Sequence, residues 1–260
     1  MALWDAYVQI LPDPDDKFKE GSVYLLSKTQ TGYRLNNIGQ VPLAFKDHHY
    51  TPKVKAQFEF VKEQLVKDNP RGRLVILEGV PGTGKTSLLR SMFTEMEKAV
   101  FINFPAMYLN SLEDPQLIQF FASAREQYLN PGEKFVLVLE DADNCLTPRD
   151  AGNMSLISTL LNACDGIIGA ITDLRIIATT NARSTEFDAA ITRPGRLISH
   201  VEVGKLSEKE AEECYFKIKG EHMQFYHPMT LAEIYQIVNF TKEEIELYAK
   251  SNKRSGRIGF

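Results

Sequence analysis

Residues Gly79–Ser87 read GVPGTGKTS. They follow the apolar run LVIL at 74–77 and precede a stretch of helical character from Lys85 to Lys98. The segment fits the pattern G-x-x-x-x-G-K-[ST], with Gly79, Gly84, Lys85 and Thr86 in the fixed positions and Val80, Pro81, Gly82 and Thr83 between them. Glycines let main-chain N–H groups turn inward and surround phosphate oxygens, at the positive end of the helix that follows. Lys85 brings a point charge to the terminal phosphates, and the Thr86 hydroxyl a ligand for Mg2+. The expectation is that the whole stretch, through Ser87, holds ATP with Mg2+.

Outward from this loop, strand and helix signals alternate. Upstream, Val54, Phe58, Val61 and Leu65 recur at helical spacing until NPRG breaks the pattern. Downstream come AVFINF at 99–104, a helix carrying Leu117, Ile118, Phe121 and Ala124, and FVLVLEDADNC at 135–145. A helix with Leu156, Ile157, Leu160 and Leu161 ends at Gly166, and RIIATT at 175–180 and HVEV at 200–203 follow. Such alternation predicts an α/β fold, a doubly wound parallel sheet with helices on both faces. From about Leu206 only helices are expected, at 207–219, 229–238 and 241–251, forming a small C-terminal helical lid domain. Before the first helix, SVYLLSK and GYRLNNI flank a polar turn and can pair as a hairpin. The expected division is an N-terminal extension at 1–49, a nucleotide-binding domain at 50–205 and a lid with tail at 206–260.

The stretch FVLVLEDADNC places Glu140 and Asp141 side by side where a fully apolar strand ends. Adjacent carboxylates repel and are costly to desolvate, so a cation is expected beside them. With a nucleotide and Mg2+ at the same sheet edge, the order of residues assigns Glu140 to the metal and Asp141 to the attacking water.

Three further stretches resemble the AAA+ ATPases, a P-loop NTPase family, and within them the AAA branch. LISTLLNACDGI at 156–167 is similar to that family's helix ending in Asp-Gly. RIIATTN places Asn181 at the polar sensor position. FDAAITRPGRL at 187–197 places Arg193 and Arg196 at the arginine-finger positions. LLNACDG and the Glu-Asp order resemble the mitochondrial Rieske-protein translocase type of AAA chaperone. The resemblance implies a ring of six or seven copies, in which these arginines act on a neighbour's nucleotide, and a protein client or adaptor as partner. His48 and His49, just ahead of the first helix, read as a solvated loop, with a place near the adenine as the alternative that the resemblance offers. Two departures stand out. The acidic pair inverts the family's Asp-Glu order, and Ile198 stands where an Asp usually follows the second arginine. The register puts Asn110–Glu113 at the tip of the loop that threads protein in relatives, and this segment has no aromatic residue. Arg257 reads as tail rather than as a sensor arginine.

Composition narrows the classes. The chain has 260 residues, 43% apolar and 25% charged, with a formal net charge of −4, which disfavours nucleic acid as the main partner. Cys145, Cys164 and Cys214 lack metal-ligand spacing and read as small buried residues, and His200, His222 and His227 show none either. There is no apolar run of membrane-spanning length and no leader-like N-terminus, so no membrane contact and a cytoplasmic location are the expectations. The reading is an ATPase that remodels or translocates a protein. A nucleotide-gated scaffold with weak hydrolysis and a DNA-loading relative are the alternatives.

Overall fold

The computed structural model describes residue 18 and residues 21–30, 32–42, 46–147, 151–241 and 243–245. The tail with Arg257 and most of the third expected lid helix lie outside them.

Among the described residues seven strands form one sheet in the order β2-β1-β4-β5-β6-β3-β7. They are β1 (Ser22–Thr29), β2 (Gly32–Gln40), β3 (Leu74–Glu78), β4 (Ala99–Asn103), β5 (Lys134–Leu139), β6 (Arg175–Thr180) and β7 (Leu197–Glu202). All neighbours run parallel except the β1–β2 hairpin. That hairpin forms where the sequence places it, and it continues the main sheet: Val23, Tyr24 and Leu25 pair with Phe101, Ile102 and Asn103 of β4.

The helices are α1 (Pro52–Val66), α2 (Lys85–Glu95), α3 (Pro115–Tyr128), α4 (Ala151–Asp165), α5 (Ile167–Thr172), α6 (Glu208–Lys219) and α7 (Leu231–Val238), with one further turn at Asp143–Leu146. Their starts follow from local chemistry. Thr51 accepts from Val54 N ahead of Pro52, and Asp114 accepts from Gln116 N ahead of Pro115. Ser207 with Glu210, and Thr230 with Glu233, form capping boxes at α6 and α7.

Alternate residues of each strand feed two apolar layers. On one face Val75, Leu77, Val136, Val138 and Ile177 pack with Val54, Phe58 and Val61 of α1 and Leu88 and Met92 of α2. On the other, Leu74, Ile76, Leu137, Leu139 and Ile176 pack with Leu117 and Phe121 of α3 and Ile157 and Leu160 of α4. This period-2 division of fully buried strands between two helical layers is the doubly wound arrangement. Ala211, Cys214 and Tyr215 of α6 and Leu231, Ile234 and Ile237 of α7 join the first layer directly. The expected loop tip at 110–113 is instead part of a 3-10 turn, Ala106–Glu113. There Leu109 and Leu112 are buried and Glu113 accepts from Asn162 Nδ2 at 2.9 Å, so apolar burial draws the segment onto the body.

Chain order around β3 fixes where a ligand sits. From β3 the chain crosses to β4, fills back through β5 and β6, and then adds β7 on the far side of β3. The carboxyl end of β3 is thus a topological switch point, where open α/β sheets bind their ligands.

Candidate functional site

The loop Gly79–Gly84 joins β3 to α2 at that switch point. Gly79 N donates to Thr180 O at 3.2 Å, tying the loop to β6, and the buried Thr83 hydroxyl donates to Val80 O. Gly84 takes the left-handed conformation at φ 98°, and no side chain caps α2. The first N–H groups of this 11-residue helix therefore have no cap, which suits an anion. Lys85 is buried, and its ammonium donates to Gly79 O at 2.6 Å, Val80 O at 3.3 Å and Asn181 Oδ1 at 2.8 Å. Burial lowers its pKa, with Asp141 and Asp143 pulling the other way.

A cavity of about 440 Å³ opens over this loop, within the range of roughly 300–1,000 Å³ usual for small-molecule sites. Pro81, Gly82, Gly84, Lys85, Thr86 and Ser87 line it together with Asp141 and Asn181. The chain leaves β5 through a left-handed residue at Asp141, φ 51°, whose N–H donates to Thr179 Oγ1 at 3.1 Å. Aspartate tolerates that conformation better than most residues. Glu140 faces a neighbouring hollow of about 240 Å³, which it shares with Thr86, Arg90, Asn103 and Ile38 of the hairpin. Thr86 lines both spaces. A hydroxyl and two carboxylates lining adjoining spaces are hard-oxygen donors, so these residue types fit Mg2+.

Arg193 and Arg196 stand apart from this cavity. They precede β7, whose Leu197 lies beside Leu74 at the start of β3, whereas the glycine loop begins after Glu78 at its end. At about 3.3 Å per residue, the five residues of β3 separate the two by roughly 15 Å. Arg196 is tied down, donating to Asp165 Oδ2 at 2.5 Å and to Ala190 O at 2.7 Å. Asp165 belongs to the LLNACDG stretch, so loop support comes from there, while Ile198 is buried in the core. Arg193 is exposed, and its side chain makes no hydrogen bond or ion pair among the described residues.

Two sets of contacts escaped the sequence reading. Asp143 Oδ1 accepts from the Thr180 hydroxyl, from Asn181 N at 2.9 Å and from Ala182 N at 3.0 Å, and so holds the end of β6 that presents Asn181. Its signal was present, as the third acid of LEDAD. The cavity is roofed by Leu231, Ala232 and Tyr235 of α7, with His49 at its side. Ala232 N donates to Gly82 O at 3.0 Å, and the Tyr50 hydroxyl to Gly84 O at 3.0 Å.

Residues 75–205 match the family described as "ATPase family associated with various cellular activities (AAA)", which is half of the chain. The chain belongs to the AAA ATPases. An ATPase family gene 2 protein of Schizosaccharomyces pombe is 34% identical over 144 residues, covering 52% of this chain and 16% of that protein. A 26S proteasome regulatory subunit 6B homolog of Saccharomyces cerevisiae is 31% identical over 167 residues, 59% of this chain and 36% of that one. A probable mitochondrial chaperone bcs1 of Schizosaccharomyces pombe is 29% identical over 157 residues, 58% of this chain and 32% of that one. The match thus spans about a third or less of the length of these relatives. Among the described residues no helix is long and apolar enough to cross a membrane.

The packing of this AAA loop beneath α7 makes Gly84 sensitive. A Cβ there would lie 2.6 Å from Leu231 Cδ1 and 3.3 Å from the Tyr50 hydroxyl, at a φ that costs an alanine about 1–2 kcal/mol. Gly84→Ala is expected to weaken binding of a fluorescent ATP analogue about tenfold, with about 1–2 kcal/mol of stability lost in urea titration. Wild-type affinity in this variant would show that the packing of Gly84 against Leu231 and Tyr50 does not shape the binding loop.

Proposed function

We propose that this AAA domain binds MgATP over the glycine loop and hydrolyses it at an interface between adjacent copies, using the cycle to remodel a protein partner. The observation that carries the reading is the convergence of Lys85, Asn181 and Asp141 on one cavity floored by the loop and the start of α2.

Main-chain amides of the loop and the Lys85 ammonium bind the phosphates. Thr86 and Glu140 would hold Mg2+, which would supply charge neutralisation at the phosphate oxygens. Asp141 takes a proton from the attacking water, and Asn181, whose Oδ1 is engaged by Lys85, orients that water through its amide NH2. Arg193 of a neighbouring copy meets the terminal phosphate, and Arg196 braces its loop against Asp165. A head-to-tail contact of this kind closes into a ring. Two relatives are named as a proteasome regulatory subunit and a chaperone, and we carry a protein-directed role to this chain on that basis.

Mixing variants tests the shared site. Arg193→Ala and Asp141→Asn chains are each expected to release phosphate at about a hundredth of the wild-type rate or less. Mixed in equal amounts, they rebuild intact pairings at roughly a quarter of the interfaces of a ring. Steady-state phosphate release should rise accordingly. A mixture no more active than its components would remove the shared site.

A further inference from the structure

His48 and His49 lie in a 3-10 turn, Asp47–His49, ahead of α1, and Cys214 lies in α6. The sequence gives these residues no metal spacing, yet folding brings one nitrogen of each ring and the Cys214 sulfur within 4.8 Å of one another. The two rings meet edge to face at 4.8 Å. His48 Nε2 and His49 Nδ1 are buried and have no hydrogen-bond partner among the described residues. His49 itself is 6% exposed. Its other nitrogen, Nε2, bonds the Tyr235 hydroxyl at 2.8 Å, which fixes the ring and leaves Nδ1 for a ligand. Buried polar atoms without partners are rare in folded proteins and call for an unseen water or ion.

We propose that His48, His49 and Cys214 form a zinc site with its fourth position open. Two imidazoles and one thiolate are a donor set that suits zinc. Bonds of about 2.0 Å to nitrogen and 2.3 Å to sulfur put tetrahedral ligand atoms roughly 3.5 Å apart, so the group closes by about 1 Å on binding. Zinc binds the thiolate, so the Cys214 proton passes to solvent as the metal arrives.

The site joins the segment before α1 to α6, and through Tyr235 to α7, which roofs the nucleotide cavity. Resting on the ATPase reading above, zinc is expected to pin these elements together and slow turnover.

Cobalt substitution on the full chain, without nucleotide, tests the site independently of hydrolysis. Co2+ should bind one to one and give an intense near-ultraviolet thiolate-to-metal band with the visible bands of tetrahedral coordination. Cys214→Ser should abolish the ultraviolet band, while Cys145→Ser and Cys164→Ser keep it. His48→Gln should weaken zinc, measured against a chromophoric chelator, about tenfold or more. A wild-type chain with no such band, or a band unchanged in Cys214→Ser, overturns the site. Equimolar zinc should slow phosphate release severalfold in the wild type and not in Cys214→Ser. Metal bound with turnover unaltered overturns the regulatory role alone, and metal bound to a chain that never hydrolyses ATP sinks the ATPase reading instead.

Discussion

Asp141→Asn is expected to lower steady-state phosphate release by about 10²–10⁴-fold while nucleotide affinity stays within a few-fold of wild type. The three nearby carboxylates are not equivalent. Asp143 spends Oδ1 on the Thr180 hydroxyl and the N–H groups of Asn181 and Ala182, which makes it a fixed support of the sheet edge. Glu140 opens onto the neighbouring hollow beside Asn103 and Arg90. Asp141 alone of the three lines the cavity with Lys85, Thr86 and Asn181. Asparagine keeps its shape and its tolerance of φ 51°, so the fold and the phosphate cradle survive and only proton acceptance is lost. The carboxylate is one methylene shorter than that of a glutamate, so its reach to the water is shorter and wild-type turnover should itself be slow. Exchanging the pair, as Glu140→Asp with Asp141→Glu, should raise it. If Asp141→Asn turned over at the wild-type rate while Glu140→Gln did not, the base would be Glu140.

Much of this site was legible because its parts are contiguous in the chain. The glycine loop must follow a strand and open a helix for its amides to converge, and LVIL before it and the helical spacing after it declare both. Fully apolar runs such as FVLVL announce strands buried on both faces, which is why the alternating pattern gave the sheet. The role of the hairpin was less visible. Its alternation is a property of two strands with each other, and nothing local in SVYLLSK records that Val23 and Tyr24 pair with Phe101 and Ile102 of β4.

What depends on long-range packing was hidden for the same reason. Asn110–Glu113 reads as an open loop, yet Leu109 and Leu112 bury themselves under the body, because two leucines three apart in a 3-10 turn share one face. Arg196 reads as a free finger until Asp165, distant in sequence, is seen to hold it. His48, His49 and Cys214 show no ligand spacing because spacing rules describe single turns and hairpins, whereas here one ligand comes from another helix. The roof formed by Tyr235 and Ala232 belongs to the same class.

Asp173→Asn is expected to destabilise the fold by about 3–5 kcal/mol, a large share of the roughly 5–15 kcal/mol that holds a domain together. Asp173 ends α5 in a left-handed conformation and is 8% exposed, below the amino ends of β5 and β6. Its Oδ1 accepts from Arg175, wholly buried, at 2.5 Å, and its Oδ2 faces Lys134 at 3.0 Å. Arg73 at 3.6 Å and Arg125 at 3.8 Å flank the same carboxylate. One anion thus balances several cations, and Asp68, which also meets Lys134 at 2.8 Å, is largely exposed. Asparagine preserves shape and backbone tolerance, so the loss measured in urea is that of the charge, with Arg175 and Lys134 left buried without it. Adding Arg175→Met should recover much of the stability, because removing both charges avoids stranding either. Burial by itself would raise the pKa of Asp173, but Arg175 and Lys134 outweigh it and hold the carboxyl below its ordinary value. The unfolded chain therefore takes up the proton first, near pH 4, and the contribution of Asp173 is complete above that pH and lost as pH falls through the lower folded value. The gap between wild type and Asp173→Asn should accordingly be flat from pH 8 to about pH 5 and narrow in stronger acid. A loss below about 1 kcal/mol at neutral pH would mean that water screens this cluster as it does a surface ion pair.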